Sequence, residues 1–201
     1  MDSRLASVSL PLKCDVSYFE IFISPTVSKE LYQLFQHDYQ IQASKLSWKI
    51  GDEIIESDFS KIIFTDQELI HKNVFEASIW GNSYVWPAAL LPVKEAIEDI
   101  TKKEFRVCVC IYYPDGTSGV DFHSDFVAFG DTSVIPSLSL GAERTFQLRE
   151  RATQEVYSKL LHEGSLVVMG DQCQELYEHA LPLDPKCKSG RINLTFRQYG
   201  L

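Results

Sequence analysis

Cysteine is scarce and unpaired in this chain of 201 residues: Cys14, Cys108, Cys110, Cys173 and Cys187 are odd in number, dispersed and never spaced as CxxC. Neither a disulfide framework nor a zinc-finger arrangement is indicated, and a reducing compartment fits best. No apolar run approaches the ~18 residues of a membrane span. The start, Met1-Asp2-Ser3-Arg4, lacks the basic-then-apolar order of an export signal. These absences lead us to expect a monomeric protein of the cytoplasm, or of the nucleus in a eukaryote, with no membrane partner. Internal repeats, low-complexity tracts and linkers are missing too, which points to a single domain over residues 1–201.

Positive charge is also short, with 19 Lys and Arg against 28 Asp and Glu, a net of −9. A protein that depends on phosphate contacts usually carries the opposite sign. The deficit is uneven: residues 1–100 hold 8 basic against 15 acidic groups, a net of −7, whereas residues 101–201 hold 11 against 13, a net of −2. Any nucleic-acid surface must therefore be local.

What is present is a hydrophobic fraction of 45% with 12% aromatics, enough for one packed core at this length. Val27, Leu31, Leu34 and Phe35 share a helical face, with Ser24 and Pro25 as N-cap and first-turn residues, and predict a helix near 25–37. Residues 40–86 read as short strands and loops, with β-prone pieces at 60–65 and 74–80 and turn signals at Gly51-Asp52 and Gly81-Asn82. Val93, Ala96, Ile97 and Ile100 after Pro92 mark a second amphipathic helix ending near Lys102 and packing on a sheet. From Phe105 the period becomes two, and strands are expected from 105 to Pro114, then near 134–140, 145–149, 165–169 and 191–199. Helices first and antiparallel strands afterwards define an α+β chain with a sandwich or jelly-roll core.

Three features carry chemistry. His123-Ser124-Asp125 on a strand would hold an imidazole and a carboxylate on one face about 6.6 Å apart, within reach of one ion. His179, in Tyr177-Glu178-His179-Ala180-Leu181-Pro182, is the candidate third ligand from another strand. Two histidines and a carboxylate form the facial triad of non-haem Fe(II) oxygenases; the competing reading of H-x-D is a surface turn. In Arg191-Ile192-Asn193-Leu194-Thr195-Phe196-Arg197, the period of two sends Arg191, Asn193, Thr195 and Arg197 to one face and three apolar residues to the other. The arginine Cα atoms, about 20 Å apart on an extended strand, suit a short dicarboxylate between them, or else a solvated outer face.

These pieces stand in an order that resembles the AlkB family of Fe(II)- and 2-oxoglutarate-dependent dioxygenases. The resemblance covers residues 105–199: Tyr113 with Asp115-Gly116, then His123-Ser124-Asp125, Pro136 to Gly141 followed by Arg144 and Phe146, Gly164 to Gly170, His179 with Pro182, and Arg191 to Arg197. It implies a double-stranded β-helix over 104–201, with N-terminal helices and a substrate lid of short strands and loops over 1–103. It implies Fe(II) held by His123, Asp125 and His179. By the same likeness 2-oxoglutarate meets Arg197 at its C1 end and Arg191 with the Tyr113 hydroxyl at its distal carboxylate, while Asn193 and Thr195 line the pocket. The implied chemistry uses O2 and converts 2-oxoglutarate to succinate while an N-alkyl group is hydroxylated and lost as an aldehyde, a demethylase reaction of DNA repair.

Two departures stand out. Ile111 occupies a position where the family usually has an asparagine. The first half matches the family's recognition lid only loosely, through Leu46-Ser47-Trp48 and the segment 80–86, whose Trp80, Tyr84 and Trp86 are candidates to stack on a base or to cap a small apolar substrate. The leading expectation is dealkylation of nucleobases in DNA or RNA; the alternative keeps the oxygenase and changes the substrate to a small molecule or a protein side chain. A non-catalytic 2-oxoglutarate-binding β-helix is a third reading, disfavoured by the intact ligand set, and the retained Asp125 argues against a halogenase. His37, His71 and His162 read as surface positions, Cys108 and Cys110 as packing residues, and Arg149, Arg151 and Lys159 as a solvated basic cluster.

Overall fold

The computed structural model describes residues 6–50, 53–125 and 127–200, without the side chains of 48–50; the expected turn at Gly51-Asp52 and the Trp48 side chain lie outside the described residues. The chain opens with β1 (Ser7–Ser9), β2 (Val16–Phe19) and α1 (Pro25–His37). It continues through β3 (Lys45–Ile50), β4 (Glu53–Thr65), α2 (Gln67–His71), α3 (Ala77–Trp80), β5 (Asn82–Val85) and α4 (Leu91–Thr101). The second half holds β6 (Val107–Tyr113), β7 (Val120–His123), β8 (Ile135–Gly141), β9 (Arg144–Glu150) and β10 (Val156–Leu161). It ends with β11 (Leu166–Met169), α5 (Cys173–Leu176), β12 (Tyr177–Leu181) and β13 (Arg191–Arg197).

Strands β6 to β13 pass back and forth between two sheets, with β9 and β10 forming a hairpin in the smaller one, in the winding of a jelly roll. β11, β8, β13 and β6 are neighbours in the larger sheet, and β10, β9, β12 and β7 form the smaller one. The first half extends the larger sheet at both edges: β2 and β1 beyond β11, and β4, β3 and β5 beyond β6. The stretch expected as a lid thus continues the barrel wall. No helix among the described residues is long and apolar enough to cross a membrane.

The two helices pack on the outer face of the larger sheet, for the reasons their sequences carry. The Ser24 hydroxyl accepts the Val27 N–H at 3.3 Å, Pro25 opens α1, and Leu31 and Phe35 are buried. In α4, Val93 and Ile97 are buried and Lys102 ends the helix in the left-handed region at φ +55°. Together with Leu138, Leu140, Ile192, Leu194 and Phe196 from the sheet they form the main core. Cys108 and Cys110 are buried in this core as packing residues.

Two local expectations are corrected. The piece at 60–65 belongs to a strand of 13 residues, whose first half is mostly exposed, Ile54 and Ile55 included, and is held by pairing with β3 rather than by burial. The piece at 74–80 is no strand: Phe75 is buried and Ala77–Trp80 is a single helical turn. Gly81, at φ +82°, sits against the Lys61 carbonyl, where a Cβ would meet it at 2.2 Å. Only glycine fits that approach, and it lets β5 run parallel to β4. β2, β10 and the short β1 carry no clear period of two and were not anticipated.

Leu194 is fully buried at the centre of β13. Leu194→Ala is expected to lower unfolding free energy by about 2–5 kcal/mol. Urea denaturation measures this, and a loss under about 1 kcal/mol would contradict the packing described.

Candidate metal centre and cosubstrate pocket

β7 and β12 pair antiparallel with His179 directly opposite His123, so the two imidazoles meet with ring centroids 4.3 Å apart. The carboxylate arrives differently from the sequence-based expectation. β7 ends at His123, and Asp125 lies beyond it in a loop rather than two residues further along the strand. That loop is tied to α5 and β12: the Asp125 N–H donates to Gln174 Oε1 at 2.9 Å, and the Ser124 hydroxyl lies 3.0 Å from the Gln174 carbonyl and 3.2 Å from that of Tyr177. His123, Asp125 and His179 each offer one ligand atom, and these atoms lie within 4.8 Å of one another.

Protonation suits a cation. The His123 Nδ1 stands 2.8 Å from the Asp121 carbonyl and donates to it, which leaves Nε2 with its lone pair toward the site. Burial, the largest influence, pulls His179 down to about 4 and keeps it neutral. The buried Asp125 Oδ2 accepts no hydrogen bond among the described residues; Arg197 Nη1 stands 3.0 Å away, at ion-pair distance but off the hydrogen-bond direction, and His179 Nε2 3.7 Å away. A carboxylate oxygen left in this state beside the neutral His179 and the His123 ring fits a divalent cation.

The polar face of β13 turns inward. β8 and β6 occupy both edges of β13; Arg191 and Arg197 on its polar face are each 3% exposed, Arg191, Asn193 and Thr195 line an internal cavity, and the apolar face lies in the main core, so the alternative of a solvated outer face does not apply. Arg191 pairs with Tyr113 across β6, its guanidinium 5.8 Å from the Tyr113 ring. Its Nη2 donates to Ser139 Oγ and Asn193 Oδ1, both at 3.0 Å, and Asn193 in turn accepts from Ser137 and donates to Thr195. Arg191 is 3% exposed, its Nε has no partner, and it makes no ion pair among the described residues. Burial pulls it down to about 10. A buried guanidinium with a spare donor fits an anion, and the cavity it lines also reaches His123, Asp125, His179, Tyr113 and Asn193. A dicarboxylate with one end at Arg191 and the other at the metal ligands matches these donors.

A second cavity is lined by two of the same ligands. His123, Asp125, Ile111 and Thr195 line it too, and its outer walls are Phe59, Lys61, Trp80 and Phe129. Of the three residues expected to touch substrate, only Trp80 is here. Tyr84 packs against Tyr39 and Phe64 in the helical core, and Trp86 stacks on Phe196 at 6.1 Å and donates to Asp66. Both sit across the larger sheet from the metal ligands, because Phe196 and Arg197 alternate on β13. Arg149 and Arg151 both bind Glu178, and His162 meets Glu143. Arg144, 1% exposed, donates to the carbonyls of Asp115, Ser118 and Pro182 and so clamps the turn after β6 to the segment after β12.

Sequence reasoning missed Ser137, Ser139, Gln174 and Lys61. Ser137 and Ser139 were legible as the only polar residues alternating with Leu138 and Leu140. Gln174 and Lys61 have no such signal, because only the folded chain brings them to the site.

A family model described as the 2OG-Fe(II) oxygenase superfamily matches residues 74–197, and the chain belongs to that superfamily. It is similar to alpha-ketoglutarate-dependent dioxygenase alkB homolog 3 of Mus musculus, at 34% identity over 122 residues, which is 56% of this chain and 43% of the relative. It is also similar to the DNA oxidative demethylase ALKBH2 of Mus musculus, at 30% identity over 122 residues, 56% of this chain and 51% of the relative. The match thus spans about half the length of these relatives or less. Among solved structures, OsALKBH1 superposes with a TM-score of 0.64 at 14% identity, covering 94% of this chain and all of that one. A prolyl hydroxylase from Trichoplax adhaerens superposes at 0.62 with 11% identity, covering 92% of this chain and 83% of that one. These two likenesses speak to the jelly-roll fold. The chain is AlkB-like, and the cofactors of its family are Fe(II), 2-oxoglutarate and O2.

An unpaired buried cation costs stability that a ligand restores. Arg191→Met is therefore expected to raise the stability of the ligand-free protein, by about 1 kcal/mol or more in urea unfolding. A clear destabilisation would show that the guanidinium is already satisfied.

Proposed function

We propose that this protein is an Fe(II)- and 2-oxoglutarate-dependent dioxygenase that hydroxylates N-alkyl groups of nucleobases and so removes them. The observation that carries the reading is the meeting of His123, Asp125 and His179 at a cavity that also holds the buried Arg191, which has no carboxylate partner among the described residues, while His123 and Asp125 line a second, aromatic cavity as well. In this proposal the three ligands hold the metal. Arg191 binds the distal carboxylate of 2-oxoglutarate, with Ser139 and Asn193 fixing its guanidinium. Arg197, beside Asp125, lies near the C1 end, and Tyr113 and Thr195 line the pocket. When bound, Fe(II) and 2-oxoglutarate supply the oxidation, in which O2 and the oxo acid yield succinate and carbon dioxide and one oxygen atom enters the substrate C–H bond. The hydroxylated N-methyl group then loses formaldehyde and leaves the base with its N–H. The remaining work of the chain is orientation and exclusion of water.

Support for a nucleobase comes from similarity to alkB homolog 3 and ALKBH2 and from the aromatic walls of the open cavity. The net charge of −9 favours a short contact with little phosphate neutralisation, and it is also the observation on which a small molecule or a protein side chain stands as the second reading.

Two outcomes test these assignments. Asp125→Ala should abolish binding of Mn(II), used as a redox-inert probe in calorimetry, with the circular dichroism unchanged; full affinity would remove Asp125 from the ligand set. With Fe(II), 2-oxoglutarate and ascorbate, single-stranded oligonucleotides bearing one N-methylated base should release formaldehyde and succinate in equal amounts. Turnover of a metabolite or peptide panel with every oligonucleotide inert would overturn the nucleobase reading in favour of the second.

A further inference from the structure

Among the described residues, Lys61 is the charged group of the open cavity that the mechanism leaves without a role. It extends from β4 to a wall shared with Trp80, its ammonium 5.2 Å from the centre of the Trp80 ring, and donates to the Ile79 carbonyl at 3.2 Å. One bond to a carbonyl leaves two of its three N–H donors for whatever enters. Lys61 makes no ion pair among the described residues, and burial alone lowers its pKa, to about 8, with no carboxylate opposing. The other cation in the cavity, Arg197, stands 3.0 Å from Asp125, which offsets its field. The open cavity therefore combines aromatic walls of Phe59, Trp80 and Phe129 with one uncompensated positive donor at its side.

Alkylated bases divide by charge in a way that such a donor reads. A methyl group on N1 of adenine or N3 of cytosine makes the ring a cation. On N3 of thymine or uracil it leaves the ring neutral with a carbonyl on each side of the alkylated nitrogen, and on N1 of guanine neutral with the C6 carbonyl beside it, whereas cytosine carries an amino group at C4 where thymine has its second carbonyl. The methyl group must approach the metal held by His123 and Asp125, so the ring that carries it shares the cavity with Lys61, in a setting where like charges repel and a carbonyl accepts a charge-assisted hydrogen bond.

We propose that Lys61 is a specificity-determining residue that turns this site toward neutral N-alkylated bases carrying a carbonyl beside the alkylated nitrogen, and away from bases that alkylation makes cationic. The inference rests on the nucleobase reading above and names the substrate class within it. It combines an attraction for one class with a repulsion against the other.

The test compares 3-methylthymine with 3-methylcytosine, which share ring size and methyl position and differ in charge and in a carbonyl against an amino group. Each is placed in the same single-stranded oligonucleotide, and kcat/KM is measured for wild type, Lys61→Met, Lys61→Gln and Lys61→Arg. The wild type should favour 3-methylthymine, and the Met and Gln variants should shift the ratio toward 3-methylcytosine on the order of tenfold or more. Lys61→Arg should keep the wild-type preference. Loss of the tether to Ile79 would slow both bases alike and leave the ratio where it was, so a ratio within about twofold of wild type in the Met and Gln variants overturns the inference. A wild-type preference for 3-methylcytosine overturns it as well. Inactivity on every oligonucleotide, with succinate still formed from 2-oxoglutarate alone, overturns the nucleobase reading itself and this inference with it.

Discussion

A positive charge enclosed without a negative one shapes the interior of this barrel. Arg191 lies almost fully out of solvent on the central strand β13, held by two neutral oxygens from Ser139 and Asn193 and by no carboxylate among the described residues. Burying a guanidinium this way is costly, and the neutral hydrogen bonds offset only part of that cost. The surrounding packing supplies the rest, since β13 is clasped between β8 and β6, with the helical core behind it. The rigidity of the main core and the readiness of the cavity for an anion are thus two sides of one arrangement.

At the other end of the cavity the constraint is register. In an antiparallel pair, directly opposed residues point to the same face, and β7 and β12 bring His123 and His179 together in this way. A slip of one residue would send one imidazole into the opposite layer. Asp125 depends on no strand; its position comes from Ser124 and its own N–H, both anchored on Gln174 in the turn before β12. The carboxylate is therefore adjustable in a way the two histidines are not. Arg197 extends the same logic, because its alternation with Phe196 puts it beside Asp125 while Trp86 stacks on Phe196 on the far face.

The first half of the chain, expected as helices and a lid of short strands and loops, does two things. It widens the larger sheet, and its approach to the site comes through β4 and α3, which supply Phe59, Lys61 and Trp80.

Much of this was legible without coordinates. The two helices, the strand at 107–113 and that at 191–197 follow from periods of 3.6 and two, and the order of His123, Asp125, His179, Arg191 and Arg197 carries the family chemistry. What the linear chain left open was decided by tertiary pairing. The polar face of β13 is inward because the smaller sheet lies over it while the helices cover the apolar face, and the segment at 74–80 turns because Gly81 must pass the Lys61 carbonyl. Trp80 reaches the site while Tyr84 and Trp86 do not, because the larger sheet stands between them. Local periodicity encodes which side chains share a face, but which faces meet is settled only when distant strands hydrogen-bond.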